Sequence, residues 1–373
     1  MRLLYVVTPA QYFLSHRLGL ARAAAAAGWD VHVAVPAGQE QVRIREAGLT
    51  PHEIDLCRSI GTPQREMRSF AALVRLIRRL RPDLVHAVSP KAAVLGGLAA
   101  RLLGCRAVIM KGGLGSTATE RGWANSLART AIRLGIRMGV TERTTLIVQN
   151  PDELSDLAGT DRIRRRAVTV PGAGVNCSIF TPTPEPPLPV TVVLPARMLR
   201  SKGIPEFVEA GRILARRRVK VRMLLAGGTD AVNSSGISAA EIESWQREGV
   251  VDWLRHRTDM PDVLARSHIV CLPSHGEGLP KSLTEAAAAA RPMIASDVPG
   301  CREVVIPGRT GLLVPARDPA RLADALELLI GDPAMRSRFG SAARRLALER
   351  FDEHLIHKQM LTVYSDLHRP VEQ

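Results

Sequence analysis

Residues His268 to Ala290 constrain what this chain can fold into more than any other stretch. His268-Ile269-Val270-Cys271-Leu272-Pro273 is an unbroken apolar run, the pattern of a strand buried on both faces of a parallel sheet. Glu285 to Ala290 is mostly alanine, the strongest helix former, and reads as helix. Between them stands S-H-G-E-G-L-P-K-S-L-T-E, residues 274–285. Gly276 and Gly278 let the backbone turn sharply and approach a ligand. Pro280 suits the first helical turn, and the N–H groups of Lys281, Ser282 and Leu283 are then expected to face an anion. Glu277 and Glu285 bracket the turn. Ionised carboxylates only accept hydrogen bonds, so they suit hydroxyl-rich ligands. A phosphate at the helix start, with a carboxylate on either side, describes a nucleotide-sugar site. The same residues also suit an ordinary turn beside a surface glutamate.

The rest of the chain repeats the strand–helix theme. Leu3–Val7 reads as a strand, 8–15 as a loop, His16–Ala27 as a helix and Asp30–Pro36 as a second strand. Short links of this kind imply right-handed parallel βαβ units. A helix over 66–81 stopped by Pro82, a strand over Asp83–Val88, Ala107–Met110, a helix over 123–138, a strand over Thr145–Val148, a helix over 151–158 and Ala167–Val170 complete a first domain, 1–170. Residues 171–190 are rich in Pro and Gly and read as a linker. A second set of strands and helices fills 191–350, and 351–373 reads as a last helix. Ligands of doubly wound sheets bind at the C-terminal ends of the strands. His16 and Lys91, each following a strand, are therefore candidates for acceptor sugar or phosphate contact. A capping or core histidine and a solvated lysine are the plain alternatives.

Composition narrows the function. The net charge is +15, and residues 1–175 hold 25 Lys+Arg against 13 Asp+Glu while the remainder is nearly balanced. A basic half suits nucleic acid, an anionic membrane surface or a phosphate-rich substrate. Nucleic acid is disfavoured because aromatic platforms for bases are scarce, at 3%. The five cysteines are scattered with no C-x-x-C, and there is no H-E-x-x-H or D-x-D. No metal and no disulfide framework is expected. Met1–Val7 is too short for a signal peptide. The longest uncharged apolar stretch, Ala92 to Ala100, falls far below the roughly 20 residues that span a bilayer. Helix 123–138 spaces Arg129, Arg133 and Arg137 on one face beside Trp123, Leu127, Leu134 and Met138, which suits a membrane surface or a solvated face equally.

Several motifs together resemble the retaining glycosyltransferases of family four, with the GT-B fold: two Rossmann-like doubly wound domains facing a cleft. The E-x7-E of Glu277 and Glu285, A-A-A-A-A-R-P-M-I-A-S-D-V-P-G-C-R-E-V-V at 286–305, G-R-T-G-L-L-V-P at 308–315, and R-x(4)-K-G at Arg197–Gly203 carry the likeness. The stretch from Gly227 to Asp259 is similar to a subgroup that assembles capsules, O-antigens and protein-linked glycans on polyprenyl diphosphate. Ser234 replaces the subgroup's proline, and three further departures stand out. Val88 replaces the second histidine of D-x-V-H-x-H, Gly112 stands where relatives often carry a histidine near the donor sugar, and Arg255 replaces a glycine near the nucleobase.

The resemblance implies an α/β enzyme that moves a sugar, HexNAc or hexose, from a UDP-sugar to a polyprenyl-diphosphate-linked saccharide, forming an α-linkage without a metal or cofactor. It assigns Glu277 to donor-sugar hydroxyls, Arg197 and Lys202 to the diphosphate, and Glu285 to the ribose. Gly278, Leu279, Lys281, Gly227 and Gly300 line the donor site, and the last helix crosses back to the first domain. The expected location is cytoplasmic, peripheral on the inner membrane face; the oligomeric state stays open. A UDP-HexNAc epimerase of the same fold and a non-catalytic basic binder are the two alternatives.

Overall fold

The computed structural model of the chain describes residues 1–56, 62–112, 123–157, 159–230 and 233–368. Cys57 and the glycine-rich segment from Gly113 to Thr117 lie outside them. The chain divides into two units: one holds the described residues up to Ala173 and those from His354 onward, the other holds those of Gly174–Glu353.

In the first unit the strands are β1 (Arg2–Val7), β2 (Asp30–Val35), β3 (Thr50–Glu53), β4 (Leu84–Val88), β5 (Arg106–Met110), β6 (Thr144–Val148) and β7 (Ala167–Thr169). They form one parallel sheet in the order β3-β2-β1-β4-β5-β6-β7. Its order reverses between β1 and β4, where Tyr5 pairs with His86. The helices are α1 (Ala10–His16), α2 (Leu18–Ala26), α3 (Glu40–Glu46), α4 (Pro63–Leu80), α5 (Pro90–Leu102), α6 (Trp123–Gly139), α7 (Pro151–Leu157) and α8 (Asp161–Arg165). Leu3, Leu4, Tyr5, Val6 and Val7 are all fully buried, as expected of a strand covered by helices on both faces.

The first helix differs from the sequence expectation. Residues 10–16 are helical rather than loop, and the helix breaks at Arg17, whose φ of −127° leaves the helical basin. The alanine-rich sequence hides this break, because it would propagate a helix equally well on either side. Helix α4 starts at Pro63, with the Thr62 hydroxyl accepting from the Arg65 N–H.

In the second unit the strands are β8 (Val190–Pro195), β9 (Val221–Ala226), β10 (Asp252–Trp253), β11 (Ile269–Leu272), β12 (Met293–Ser296) and β13 (Gly311–Val314), in the parallel order β10-β9-β8-β11-β12-β13. The helices are α9 (Ile204–Arg216), α10 (Ala239–Arg247), α11 (Met260–Ala265), α12 (Lys281–Ala288), α13 (Pro299–Arg302), α14 (Pro319–Gly331) and α15 (Pro333–Leu346). A π-type turn over Ala347–Phe351 precedes the last helix, α16 (Glu353–His368). Most of α16 belongs to the first unit. Its Tyr364 hydroxyl lies 2.9 Å from that of Tyr5 and 2.7 Å from His86 Nδ1, at the centre of the first sheet.

Candidate functional site

Each sheet reverses its strand order once, and the loops leaving the C-terminal ends of the two central strands frame a crevice. In the second unit these strands are β8 and β11. The loop after β8 carries Arg197 and Lys202; the loop after β11 carries Glu277 and leads into α12 with Glu285. The topology therefore brings four residues from two distant stretches to one edge.

The two loops are bonded to each other. The Ser201 carbonyl accepts from the His275 N–H at 2.9 Å and from the Ser274 hydroxyl at 3.2 Å. Across them the Lys202 ammonium meets Glu277 Oε1 at 2.5 Å, with both side chains largely shielded from water. Arg197, half exposed, is held by Asp230 at 2.5 Å. Both cations assigned to a diphosphate thus rest on carboxylates.

Helix α12 begins at Lys281, and Pro280 is its N-cap, with an extended ψ of 117°, rather than its first helical residue. The Leu283 N–H already bonds the Pro280 carbonyl at 3.1 Å. Of the three N–H groups expected to face an anion, Leu283's is therefore spoken for. One turn in, Glu285 is buried, and desolvation raises its carboxyl above the ordinary range, opposed by the Lys281 ammonium 3.5 Å away. A carboxylate so placed gains most from a ligand that donates hydrogen bonds to it.

The glycines act through packing. A Cβ on Gly300, at the start of α13, would lie 2.3 Å from the Gly278 carbonyl oxygen and 2.7 Å from that of Glu277. Its bareness lets α13 press on the Glu277–Gly278 backbone. A Cβ on Gly227 would lie 1.8 Å from the Ala196 carbonyl oxygen, so that glycine serves the contact between the ends of β8 and β9. Leu279 packs partly buried against the core of the second unit. Arg255, in place of the family glycine, takes the left-handed φ of 57° that a glycine would adopt freely. Its guanidinium lies 4.5 Å over the Trp253 ring and reaches Glu243.

Sequence reasoning missed the groups that hold the site. Glu206, in the first turn of α9, accepts from His275 Nε2 at 2.8 Å, and Asp230 accepts from Arg197. His275 was visible in S-H-G-E, but nothing in the order of residues pairs it with a glutamate 69 positions earlier. The acceptor candidates lie in the first unit. His16 stacks on Tyr12 with centroids 4.3 Å apart and bonds the Ser15 hydroxyl, while Lys91 holds Glu66 at 2.6 Å.

Two of the arginines of α6 turn toward α7 rather than outward. Arg133 pairs with Asp156, and Arg137 donates to the Leu157 carbonyl at 2.9 Å, both toward α7. The exposed residues of α6 include three large apolar ones, Leu127, Leu134 and Met138, at 61%, 55% and 43% exposed, beside Ser126, Thr130 and Ala131. The side chain of Trp123 falls outside the described set. Among the described residues no cluster of His, Cys, Asp or Glu is placed to hold a metal, and no helix is long and apolar enough to cross a membrane.

Two Rossmann-like parallel-sheet units are the architecture of a GT-B enzyme. Two family models match the chain in tandem, "Glycosyl transferase 4-like" over residues 2–150 and "Glycosyl transferases group 1" over residues 189–332, and the chain belongs to these glycosyltransferases. It is 25% identical, over 353 residues and 90% of each chain, to the N,N'-diacetylbacillosaminyl-diphospho-undecaprenol alpha-1,3-N-acetylgalactosaminyltransferase of Campylobacter jejuni. It is 27% identical over 356 residues to the D-inositol 3-phosphate glycosyltransferase of an Arthrobacter species, covering 87% of this chain and 83% of that protein. Among solved structures, sucrose-phosphate synthase from Thermosynechococcus elongatus shares the fold with a TM-score of 0.80 at 20% identity, covering 98% of this chain and 99% of that one. Anabaena HepE in complex with UDP-glucose does so with a TM-score of 0.78 at 19% identity, covering 98% of this chain and 100% of that one.

Proposed function

We propose that the enzyme transfers a sugar from a UDP-sugar to a polyprenyl-diphosphate-linked saccharide, with retention and an α-linkage. The observation that carries this reading is the set of Arg197, Lys202, Glu277 and Glu285 at the switch point of the second sheet. Glu285 takes the ribose hydroxyls and Glu277 the hydroxyls of the donor sugar. Lys202 leaves Glu277, and Arg197 leaves Asp230, to bind the diphosphate. Their charge stabilises the departing UDP as the bond from the sugar's anomeric carbon to the phosphate oxygen breaks. The acceptor oxygen bonds to that carbon on the same face, and its proton passes to the leaving phosphate. His16 and Lys91 serve the acceptor side. The Campylobacter relative, whose name specifies a diphospho-undecaprenol acceptor, supports this choice of substrate class.

A lipid acceptor requires access to a membrane. The apolar stripe of Leu127, Leu134 and Met138 supports a peripheral contact there, joined by the exposed Leu102, whose neighbour Arg101 donates to the Met138 carbonyl. Exposed Arg143, Arg162, Arg164 and Arg165 add the cations that favour anionic lipid. The test is incubation with UDP-GalNAc, UDP-GlcNAc or UDP-glucose and a polyprenyl-diphosphate HexNAc, with the product weighed by mass spectrometry and its anomeric configuration read by NMR. One added sugar in an α-linkage is expected. Release of an epimerised free nucleotide sugar without lipid product, or a β-linked product, overturns the reading.

A further inference from the structure

Resting on the reading of the acceptor as a diphosphate-linked saccharide, we propose that the start of α5, with the Ser89 hydroxyl, binds the acceptor's diphosphate. The first sheet reverses its order between β1 and β4, so the loops after these strands frame the crevice of the first unit. The loop after β4 is Ser89 itself, N-cap of the 13-residue helix α5. The first N–H groups of a helix lack intrahelical acceptors and concentrate positive potential. A helix start alone is no site, but two further observations point to an anion here.

The first is Ser89. It is 8% exposed, caps nothing in its own helix, and its Oγ has no hydrogen-bond partner among the described residues. Buried hydroxyls are nearly always paired. The second is Arg17, 2% exposed. Its guanidinium donates to Met110 Sδ at 2.9 Å and reaches the Gly172 carbonyl at 3.4 Å, its Nε has no partner, and no ion pair is formed with it among the described residues. A guanidinium withdrawn from water without a counter-charge is rare. Met110 joins the two: its thioether takes Arg17, and its carbonyl accepts the Ser89 N–H at 3.2 Å. A fixed positive charge therefore stands behind the helix start.

Gly112, in the left-handed region with φ of 62°, lies beside the helix start. Among the described residues, a Cβ there would meet the Tyr12 hydroxyl at 3.6 Å and Ser89 Cα at 4.0 Å. Two hydroxyls, a helix start and a buried cation suit a compact group of several anionic oxygens. Lys91 already faces Glu66, so the hydroxyl and helix start, rather than that ammonium, define the site. Along the same strand ends, over β1 to β3, a hollow of about 490 Å³ lined by Thr8, Pro9, Glu53, Asp55 and Arg65 offers carboxylates to the attached saccharide.

The test is calorimetric titration of the full chain with geranyl diphosphate, a soluble prenyl diphosphate, and with inorganic pyrophosphate. Both are run with UDP at saturation, and again on Arg197→Met/Lys202→Met, which removes the diphosphate cations of the second unit. The second arm reads the first unit even where UDP fails to bind, so failure of the donor reading and failure of this site are separable. Geranyl diphosphate is expected to bind the wild type, about tenfold more weakly to Ser89→Ala, which loses one charged hydrogen bond. Binding to Ser89→Asp, whose carboxylate occupies the site, is expected to vanish while its unfolding midpoint is kept. No binding to the wild type, or equal affinity in Ser89→Asp, overturns the site. Binding of pyrophosphate with exclusion of geranyl diphosphate makes it a free-anion site and overturns its assignment to the acceptor.

Discussion

Glu285→Gln separates stability from donor binding at the centre of the site. The carboxylate of Glu285 is buried, and among the described residues its charged neighbour is Lys281, 3.5 Å away on the same helix. Burial raises its pKa above the unfolded value, so the folded state binds the proton more tightly. Stability from this group is therefore lost as pH rises from the unfolded carboxyl value through the raised folded one, and the loss persists at neutral pH. The amide escapes this penalty. Glu285→Gln is expected to be more stable than wild type by about 1 kcal/mol at pH 7, with the advantage vanishing near pH 4. For a folding unit of this size that is a rise of roughly 2–4 °C in Tm.

The ligand response moves the other way. Two ribose hydroxyls donating to a carboxylate at about 2.5 kcal/mol each, against about 1 kcal/mol each to the amide oxygen, differ by about 3 kcal/mol, roughly a hundredfold in affinity. UDP at 100 times its wild-type Kd adds about 2.7 kcal/mol to the wild type, but at that concentration only about 0.4 kcal/mol to the variant. Differential scanning fluorimetry across pH, with and without UDP, reads both effects. A variant less stable than wild type at pH 7, or one stabilised by UDP as strongly as wild type, refutes the reasoning.

Gly300→Ala forces a methyl to within 2.3 Å of the Gly278 carbonyl; it is expected to lose about 1–3 kcal/mol of stability and most of its turnover, as urea unfolding and a sugar-transfer assay would show. Lys202→Met leaves Glu277 shielded and unpaired and is expected to destabilise by about 2 kcal/mol. Adding Glu277→Gln should restore most of that stability without restoring activity, and a double variant no more stable than the single one argues against the pair. Leu134→Glu places a charge in the exposed stripe of α6. Sedimentation with phosphatidylglycerol vesicles is expected to fall several-fold while Tm holds, and unchanged sedimentation removes this helix from the membrane contact. Arg255→Gly relieves the left-handed φ of 57° but gives up the contact with Trp253. Terms of about 1 kcal/mol oppose each other, so a Tm within about 2 °C of wild type is expected.

The fold was legible because its signals are local. Apolar runs such as Ile269–Leu272 can only be buried strands, and the spacing of Glu277 and Glu285 survives whatever the rest of the chain does. The edges of elements were less legible. Pro280 is as compatible with a cap as with a first helical residue, and α3 and β3 are short and polar enough to escape a periodicity reading. The counter-charges were not legible at all. Asp230 reaches Arg197 from 33 residues away and Glu206 reaches His275 from 69, contacts set by strand order rather than by any pattern along the chain. For the same reason the arginines of α6 read as a surface stripe until α7 supplied Asp156 and the Leu157 carbonyl.

The pairs of Lys202 with Glu277 and Arg197 with Asp230 make this edge of the second sheet nearly self-neutral. An incoming anion must break them, and a bare phosphate that does so strands two carboxylates. On the proposed reading a UDP-sugar is compensated, because its sugar hydroxyls would take over Glu277 as its diphosphate takes over Lys202. UDP left behind after transfer keeps the second exchange and loses the first. On that reading the site is biased against inorganic phosphate and toward letting its product go, a discrimination built from two ion pairs rather than from a steric gate.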